Sequence, residues 1–195
     1  MEVKTIAVIG AGTQGSNIAY ASAIAGYRTI LEDVSREILD RGLASIQQLF
    51  DAEVSRDKME SSIRDRALLL ITTASSVEAA IRDADLVIET VPEEMEMKLE
   101  LFTIFDKFGK PGAIFATTTS SLSISDMIDV TICQERCVGM QFFDEVSSAN
   151  RIVITRTPLT SDETIATSRE VAHRLGREVV LVRESSEVIS TSRES

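Results

Sequence analysis

Residues 5–15 read TIAVIGAGTQG and join a short, β-branched apolar segment directly to the pattern Gly10-x-Gly12-x-x-Gly15. Small residues follow, so the stretch predicts a strand, a tight glycine turn and the start of a helix. In that context each glycine has a physical role. Gly10 makes the turn, Gly12 lets the backbone approach a diphosphate, and Gly15 lets helix and strand pack closely. The stretch therefore predicts a dinucleotide-binding unit.

The residues after the glycines indicate which dinucleotide binds. A helix beginning near Gln14, with Thr13 in the same turn, would direct unpaired N–H groups and a partial positive charge at the phosphates. The next apolar run ends at Asp33, 18 residues after Gly15. A carboxylate there accepts hydrogen bonds from both ribose hydroxyls of an adenosine and repels a 2′-phosphate. The sequence therefore favours NAD over NADP as the cofactor.

Composition limits the class of protein. The chain has 195 residues, of which 44% are hydrophobic and 26% charged, as expected for one globular domain. A net charge of −11 argues against nucleic acid and anionic membranes as partners. No apolar run approaches the ~18 residues of a membrane span. The first strand follows Met1 closely, so we expect no targeting segment and a cytoplasmic protein. Cys133 and Cys137 lack companion ligands, which favours reduced thiols over a metal site.

Strand-like runs alternate with helical periodicity, which predicts an α/β fold of the Rossmann type with a doubly wound, mostly parallel sheet. We expect this domain to span residues 1–183 and a polar tail to span residues 184–195. The expected strands are Thr5–Ile9, Thr29–Glu32, Leu69–Thr73, Leu86–Glu89, Ala113–Thr117, Cys137–Phe142, Arg151–Thr155 and Glu178–Val182. An amphipathic helix ending near Leu175 precedes the last strand, with Gly176 as its cap.

A long insertion separates the second and third strands. Its first half has apolar residues at helical spacing, namely Leu39, Leu43, Ile46, Phe50 and Val54. Its second half places Met59, Ile63 and Ala67 on one face of another helix, and residues 55–58 form the turn between them. The sequence therefore predicts a helical hairpin inserted after the second strand.

With these elements placed, the chain resembles the NAD-binding amino-terminal domain of the 3-hydroxyacyl-CoA dehydrogenases over about residues 3–183. The motifs that carry the resemblance are VIGAGTQGSNIAY, LEDVS, the hairpin, DADLVIETVPEEMEMKLELF, TTTSSLSIS, VGMQFFDEV and TRTPLTS. The acidic segment after the fourth strand is the most specific, because Rossmann domains in general do not share it. The resemblance implies NAD-dependent oxidation of a 3-hydroxyacyl thioester in fatty acid metabolism.

The resemblance also implies a set of site residues. The family counterparts of Asp33, Glu93 and Lys98 lie along the cofactor, and that of Ser120 lies near both the cofactor and the substrate hydroxyl. The remaining positions expected to contact the cofactor are Thr90, Thr118 and Asp144. Without the resemblance, Glu93 and Lys98 would be solvated charges, and Ser120 and Ser121 a turn or N-cap before a short helix.

Two substitutions bear on catalysis. The family takes the hydroxyl proton with a histidine that is held by a glutamate twelve residues later, because a histidine pKa lies near working pH. Gln141 occupies the histidine position and Val153 the glutamate position. A glutamine side chain can donate a hydrogen bond, but it cannot take up the proton as a general base does. The resemblance thus identifies Ser120 and Gln141 as the catalytic positions, with the general base lost.

Other residues that could serve as a base are few. Asp144, which replaces a family Asn, and Glu145 would both lie near the nicotinamide. His173, the one histidine, is expected on a helix away from the binding edge of the sheet. Thr118 replaces a further family Asn.

The end of the chain also departs from the family. Where the family continues through a Pro-Gly-Phe hinge into a helical second domain, this sequence reads SSEVISTSRES, with Thr191 about where an active-site Asn would lie. We expect apolar surface near Ile152, Ile154 and the terminal segment to be uncovered, and the chain to be a monomer or a homodimer unlike that of the family.

Three functions remain open. The chain is a non-catalytic NAD-binding or regulatory protein, an active hydroxyacyl-CoA or hydroxy-acid dehydrogenase that uses another base or a separate helical partner, or a shortened product without a present role. Arg56 and Lys58 are either contacts for CoA phosphates or a solvated turn.

Overall fold

An eight-stranded sheet forms the centre of the molecule; the structure is a computed structural model and describes residues 1–143 and 150–184. The strands are β1 (Thr5–Ile9), β2 (Arg28–Glu32), β3 (Ile71–Thr73), β4 (Leu86–Glu89), β5 (Ile114–Thr117), β6 (Cys137–Phe143), β7 (Arg151–Arg156) and β8 (Glu178–Arg183). Their order is β3-β2-β1-β4-β5-β6-β7-β8, and every neighbouring pair is parallel except the antiparallel pair β6–β7. The expected doubly wound, mostly parallel sheet is confirmed.

Helices cover both faces of this sheet. They are α1 (Thr13–Ile24), α2 (Arg36–Ser55), α3 (Ser61–Leu68), α4 (Val77–Ile81), α5 (Met95–Phe108), α6 (Ile124–Ile128) and α7 (Asp162–Arg174), with a 3₁₀ turn at Gln134–Arg136. One apolar cluster packs α1, α2 and α7 on the sheet, and a second packs α4, α5 and α6 on the other face. Strands covered on both faces need continuous apolar runs, and all five residues of β1 are accordingly buried.

Strand β3 is shorter than the sequence predicts. The expected strand began at Leu69, but the N–H groups of Leu69 and Leu70 donate to Asp65 and Ala67 and so close helix α3. Leu69 is 83% exposed as a result. The apolar run therefore contains both the end of a helix and the start of a strand. Hydrophobic periodicity does not show where the one ends and the other begins.

The helical hairpin is confirmed as α2 and α3. Leu39, Ile46 and Phe50 are buried in the main core. The expected face of the second helix is wrong in part, because Met59 precedes α3 and Ile63 is 38% exposed. The hairpin packs mainly through α2, so α3 needs to bury little more than Ala67.

Two other expectations are corrected. The N-cap before α6 is Ser123, whose hydroxyl accepts from the Asp126 N–H, and not Ser120 or Ser121. Ile152 and Ile154 are fully buried, because α7 and the rest of the main core cover that face of β7.

No helix in the described part of the chain is long and apolar enough to span a membrane. Residues 185–195 of the expected tail lie outside the described residues.

Candidate functional site

The glycine loop after β1 is built by contacts that two of its glycines make possible. Gly10 has φ +104°, and its N–H donates to the Glu32 carbonyl at 2.8 Å. A Cβ on Gly15 would lie 1.9 Å from the Gly10 carbonyl oxygen. The Thr90 hydroxyl donates to the carbonyls of Ile9 and Gly10, both at 3.0 Å. The fold itself therefore requires Gly10 and Gly15, and Thr90 holds the loop in place.

Gly12 differs from Gly10 and Gly15, because neither its backbone conformation nor its neighbours in the protein require a glycine. Its φ of −64° suits any residue, and a Cβ there would meet nothing within 4 Å. No side chain caps α1 at this end, and Thr13 and Gln14 are exposed. The unpaired N–H groups of the first turn thus face an open space beside Gly12, which is the environment that a diphosphate requires.

Asp33 is fixed beside this loop. Its Oδ2 accepts from the Ala11 N–H and its Oδ1 from the Ser35 N–H, both at 2.9 Å. The carboxylate is only partly buried, and each oxygen keeps a free lone pair for a ribose hydroxyl. The loop and the helix end follow β1 where it adjoins β4 and the strand order reverses, as in dinucleotide sites, and Asp33 follows the neighbouring strand β2. The residues present therefore fit NAD.

A buried ion pair lies at the end of β4. Lys98 on α5 and Glu89 at the end of β4 are both fully buried, and the Lys98 Nζ lies 2.8 Å from each Glu89 carboxylate oxygen. Glu89 also accepts from the Val91 N–H and the Thr117 hydroxyl, each at 2.7 Å. Because Lys98 has no exposed surface in this structure, the cofactor contact expected for it stays a prediction.

Glu93 organises the loop that carries Ser120. Its Oε1 accepts from the Thr119 hydroxyl, from the N–H groups of Ser120 and Ser121 at 2.9 and 3.1 Å, and from the Ser121 hydroxyl at 3.0 Å. Its Oε2 lies 3.4 Å from Lys98 Nζ. Burial opposes ionisation of this carboxyl, but the hydrogen bonds outweigh it and lower the pKa of Glu93 to about 2.

Gln141 holds the same loop from the other side. Its Nε2 donates to the Thr119 carbonyl at 2.6 Å. Val153, the residue expected at the position of the family glutamate, lies directly opposite Gln141 on β7. Ser120 is exposed, and Thr118 follows β5, where its N–H donates to the backbone carbonyl of Glu89 at 3.1 Å. The residue that the resemblance places at the base position is thus an amide whose Nε2 bonds to the backbone.

The remaining candidate residues lie away from this edge, as expected for His173, or outside the described residues. His173 is exposed on α7, which packs on β6, β7 and β8. At the hairpin turn Arg56 pairs with Glu53 at 3.6 Å, and Lys58 is exposed. Asp144, Glu145 and Thr191 lie outside the described residues.

Sequence reasoning missed Glu32, Glu89 and Thr119. Glu89 carried a usable signal, since it ends the otherwise apolar strand LVIE. Glu32 ends β2 and is only 4% exposed. Burial, followed by the charges of Asp33 and Glu78, raises the pKa of Glu32 to about 7.

Comparison with known proteins agrees with this geometry. The family model described as the NAD-binding domain of 3-hydroxyacyl-CoA dehydrogenase matches residues 5–185. The 3-hydroxybutyryl-CoA dehydrogenase of Bradyrhizobium diazoefficiens is 35% identical over 179 residues, which cover 92% of this chain and 61% of that protein. The mitochondrial hydroxyacyl-coenzyme A dehydrogenase of Homo sapiens is 30% identical over 184 residues, covering 91% and 58%.

A solved structure shows the same fold. The crystal structure of (S)-3-hydroxybutyryl-CoA dehydrogenase from Ralstonia eutropha superposes with a TM-score of 0.89 at 29% identity, over 94% of this chain and 65% of that one. The chain spans roughly three-fifths of the length of the curated relatives. Since the part that matches is the NAD-binding domain, and the loop and Asp33 fit the cofactor, NAD is the cofactor of this chain.

Proposed function

Because the chain belongs to the 3-hydroxyacyl-CoA dehydrogenase family, we propose that it binds NAD as a member whose oxidation of 3-hydroxyacyl thioesters is strongly reduced. One observation carries the proposal: Gln141, which the resemblance assigns to the position of the family base, donates its amide Nε2 hydrogen bond to the Thr119 carbonyl at 2.6 Å. An amide has no pKa near neutral pH and accepts no proton from a hydroxyl.

The rest of the site supports binding. NAD, when bound, supplies the acceptor for a hydride. The glycine loop holds the diphosphate, and Asp33 holds the adenosine ribose. The Thr119–Ser121 loop, fixed by Glu93, presents Ser120 to a substrate oxygen. These residues position ligands, but none of them removes the hydroxyl proton. Loss of a general base lowers the rate about 10²–10⁴-fold.

Val153 reinforces the loss. A carboxylate opposite the base would orient an imidazole and stabilise its charged form. A valine provides neither a hydrogen bond nor a charge. The two substitutions thus remove both members of the acid–base pair from one place in the sheet.

A substrate with a 3-oxo or 3-hydroxyacyl thioester is the class to test, by the chemistry of the curated relatives. The oxidation of NADH by acetoacetyl-CoA tests turnover, and calorimetry with NAD and with NADP tests cofactor binding. The B. diazoefficiens relative serves as the active reference. We expect NAD binding, much weaker NADP binding, and turnover at least about a hundredfold below the reference.

The outcomes separate the two halves of the proposal. Turnover within about a hundredfold of the reference would show an active dehydrogenase with another base or a partner domain. Absence of binding heat at millimolar NAD would overturn the cofactor site itself. NAD binding without turnover supports the proposal, and acetoacetyl-CoA binding in the same calorimeter would show that the chain retains a site for the thioester.

A further inference from the structure

The chain segment 119–126, which connects β5 to α6 and contains Ser120, is held by side chains. The N–H groups of residues 119–122 and 124–126 all donate to side-chain oxygens. Just before this segment, the N–H of Thr118 donates instead to the backbone carbonyl of Glu89. Because backbone N–H groups need partners, a segment held in this way keeps its conformation only while its side-chain acceptors stay in place.

Two carboxylates from distant parts of the chain hold the two halves of this segment. Glu93 accepts from the N–H groups of residues 120 and 121. Glu184 holds the other half. Its Oε1 accepts from the Ile124 N–H, and its Oε2 accepts from the Ser125 hydroxyl and, at 3.1 Å, from the Ser125 N–H. Hydrogen bonds to a carboxylate are stronger than those between neutral groups, so both halves are firmly held.

The sheet fixes the position of Glu184 itself. This residue directly follows β8, and its N–H donates to the carbonyl of Arg156, the last residue of β7, at 2.8 Å. The side chain is half-buried. Its carboxylate therefore extends to the 119–126 segment from a backbone that the pairing of β7 with β8 holds in place.

The segment lies on the side of the cofactor site away from Asp33. At the carboxyl ends of the strands, Asp33 follows β2, the glycine loop follows β1, and the segment follows β5, in the strand order β2-β1-β4-β5. Strands are ~4.8 Å apart, so β5 lies about 10 Å beyond β1. A dinucleotide with its adenosine at Asp33 and its diphosphate at the glycine loop therefore extends its nicotinamide riboside toward the segment.

We propose that Glu184 is a positioning residue for the nicotinamide end of NAD and that it acts through the 119–126 segment. Together with Glu93 it fixes the segment before the cofactor arrives. Without Glu184, only a fraction of the molecules would present the segment in its binding conformation, and the apparent affinity for NAD would fall by that fraction. The contacts to adenosine and diphosphate lie at β1 and β2 and would not change. The inference rests on the NAD site of the proposed function.

Calorimetry with two probes tests the proposal. NAD carries the nicotinamide riboside, whereas ADP carries only the adenosine and the diphosphate. Glu184→Gln should weaken NAD binding about 3–10-fold and leave ADP binding within about twofold of the wild type. Glu178→Gln is the matched control, because it makes the same change at the other end of β8, where the side chain is exposed. This control should bind both probes as the wild type does.

Amide hydrogen exchange followed by NMR, without any ligand, tests the effect on the segment directly. In Glu184→Gln, exchange should be faster than in the wild type at Ile124 and Ser125, and also at Ser120 and Ser121, while the amides of β1 exchange as before. Ser125→Ala, which removes the hydroxyl that donates to Glu184, should change exchange in the same direction.

Several results would overturn the proposal. Equal losses of NAD and ADP affinity in Glu184→Gln would show a general effect on the fold, and unchanged NAD affinity would show no effect on the cofactor. Unchanged exchange at Ser120 and Ser121 would show that Glu93 alone holds their loop. A wild-type chain that bound neither probe would overturn the cofactor site together with this role of Glu184. The loss of activity is tested separately by the turnover assay, because binding of NAD and ADP requires no chemistry.

Discussion

Gln141 on β6 and Val153 on β7 are directly opposite each other in the antiparallel pair of the sheet. Residues in this relationship point to the same face, with Cβ atoms about 4.5–5.5 Å apart. The two positions that the resemblance assigns to a catalytic pair are thus neighbours in space, although they are twelve residues apart in sequence.

This relationship predicts the behaviour of a restored pair. In the double variant Gln141→His, Val153→Glu, the introduced carboxylate should raise the pKa of the introduced imidazole by about 1–3 units relative to Gln141→His alone, because an opposite charge at this distance favours the protonated form. A pH titration followed by NMR measures both, since His173 is the one other histidine. Equal imidazole pKa values in the two variants would contradict the pairing.

The geometry of the glycine loop predicts that one glycine-to-alanine substitution weakens NAD binding, whereas another lowers the stability of the fold. Gly12→Ala should weaken NAD binding more than tenfold, because its methyl group would occupy the open space beside α1, while the free energy of unfolding stays within about 0.5 kcal/mol. Gly15→Ala should destabilise the fold by roughly 1–3 kcal/mol, since its Cβ would lie 1.9 Å from the Gly10 carbonyl oxygen.

Calorimetry with NAD and urea denaturation, applied to both variants, distinguish these effects. If Gly12→Ala bound NAD as tightly as the wild type, the diphosphate would have to lie elsewhere.

Because Lys98 and Glu89 form a buried ion pair, substitutions of the two residues should have strongly non-additive effects on the free energy of unfolding. Lys98→Met leaves a fully buried carboxylate without its cation and should lower the free energy of unfolding by about 3–5 kcal/mol. Adding Glu89→Gln removes the stranded charge and keeps an acceptor for the Val91 N–H, so the double variant should recover much of the loss. Urea denaturation of the two single variants and the double variant measures the coupling. Additive effects would mean that the two side chains are independent.

Glu32 predicts a pH dependence of stability. Burial and nearby acids raise its pKa from 4.5 to about 7, so between these values the folded chain holds a proton that the unfolded chain has released. Stability should therefore fall as the pH rises through this interval. Glu32→Gln should raise the free energy of unfolding at pH 8 by about 1–3 kcal/mol and change it little at pH 4.5.

Urea denaturation at the two pH values provides the measurement, with the exposed Glu100→Gln as the control. A wild-type chain and a Glu32→Gln variant with the same pH profile would show that this carboxyl ionises normally in the folded state.

Local patterns in the sequence were sufficient for the elements and for the cofactor. The run TIAVI, the glycine spacing and Asp33 are contiguous or nearly so, and their chemistry follows from backbone geometry over a few residues. β1 and β4 have the bounds that were predicted from apolar pattern alone. The error at Leu69 arose because a helix end and a strand share one apolar run.

Contacts between distant segments could not be obtained in this way. That Lys98 is buried on Glu89, that Glu93 holds the 119–121 loop and that Glu32 loses its solvent depend on which elements pack together. Each of these acids is an ordinary charged residue in the sequence, because burial and hydrogen-bond partners come from residues far along the chain. The linear order therefore specified the fold and the cofactor, and packing set the ionisation and the roles of the charged groups in the site.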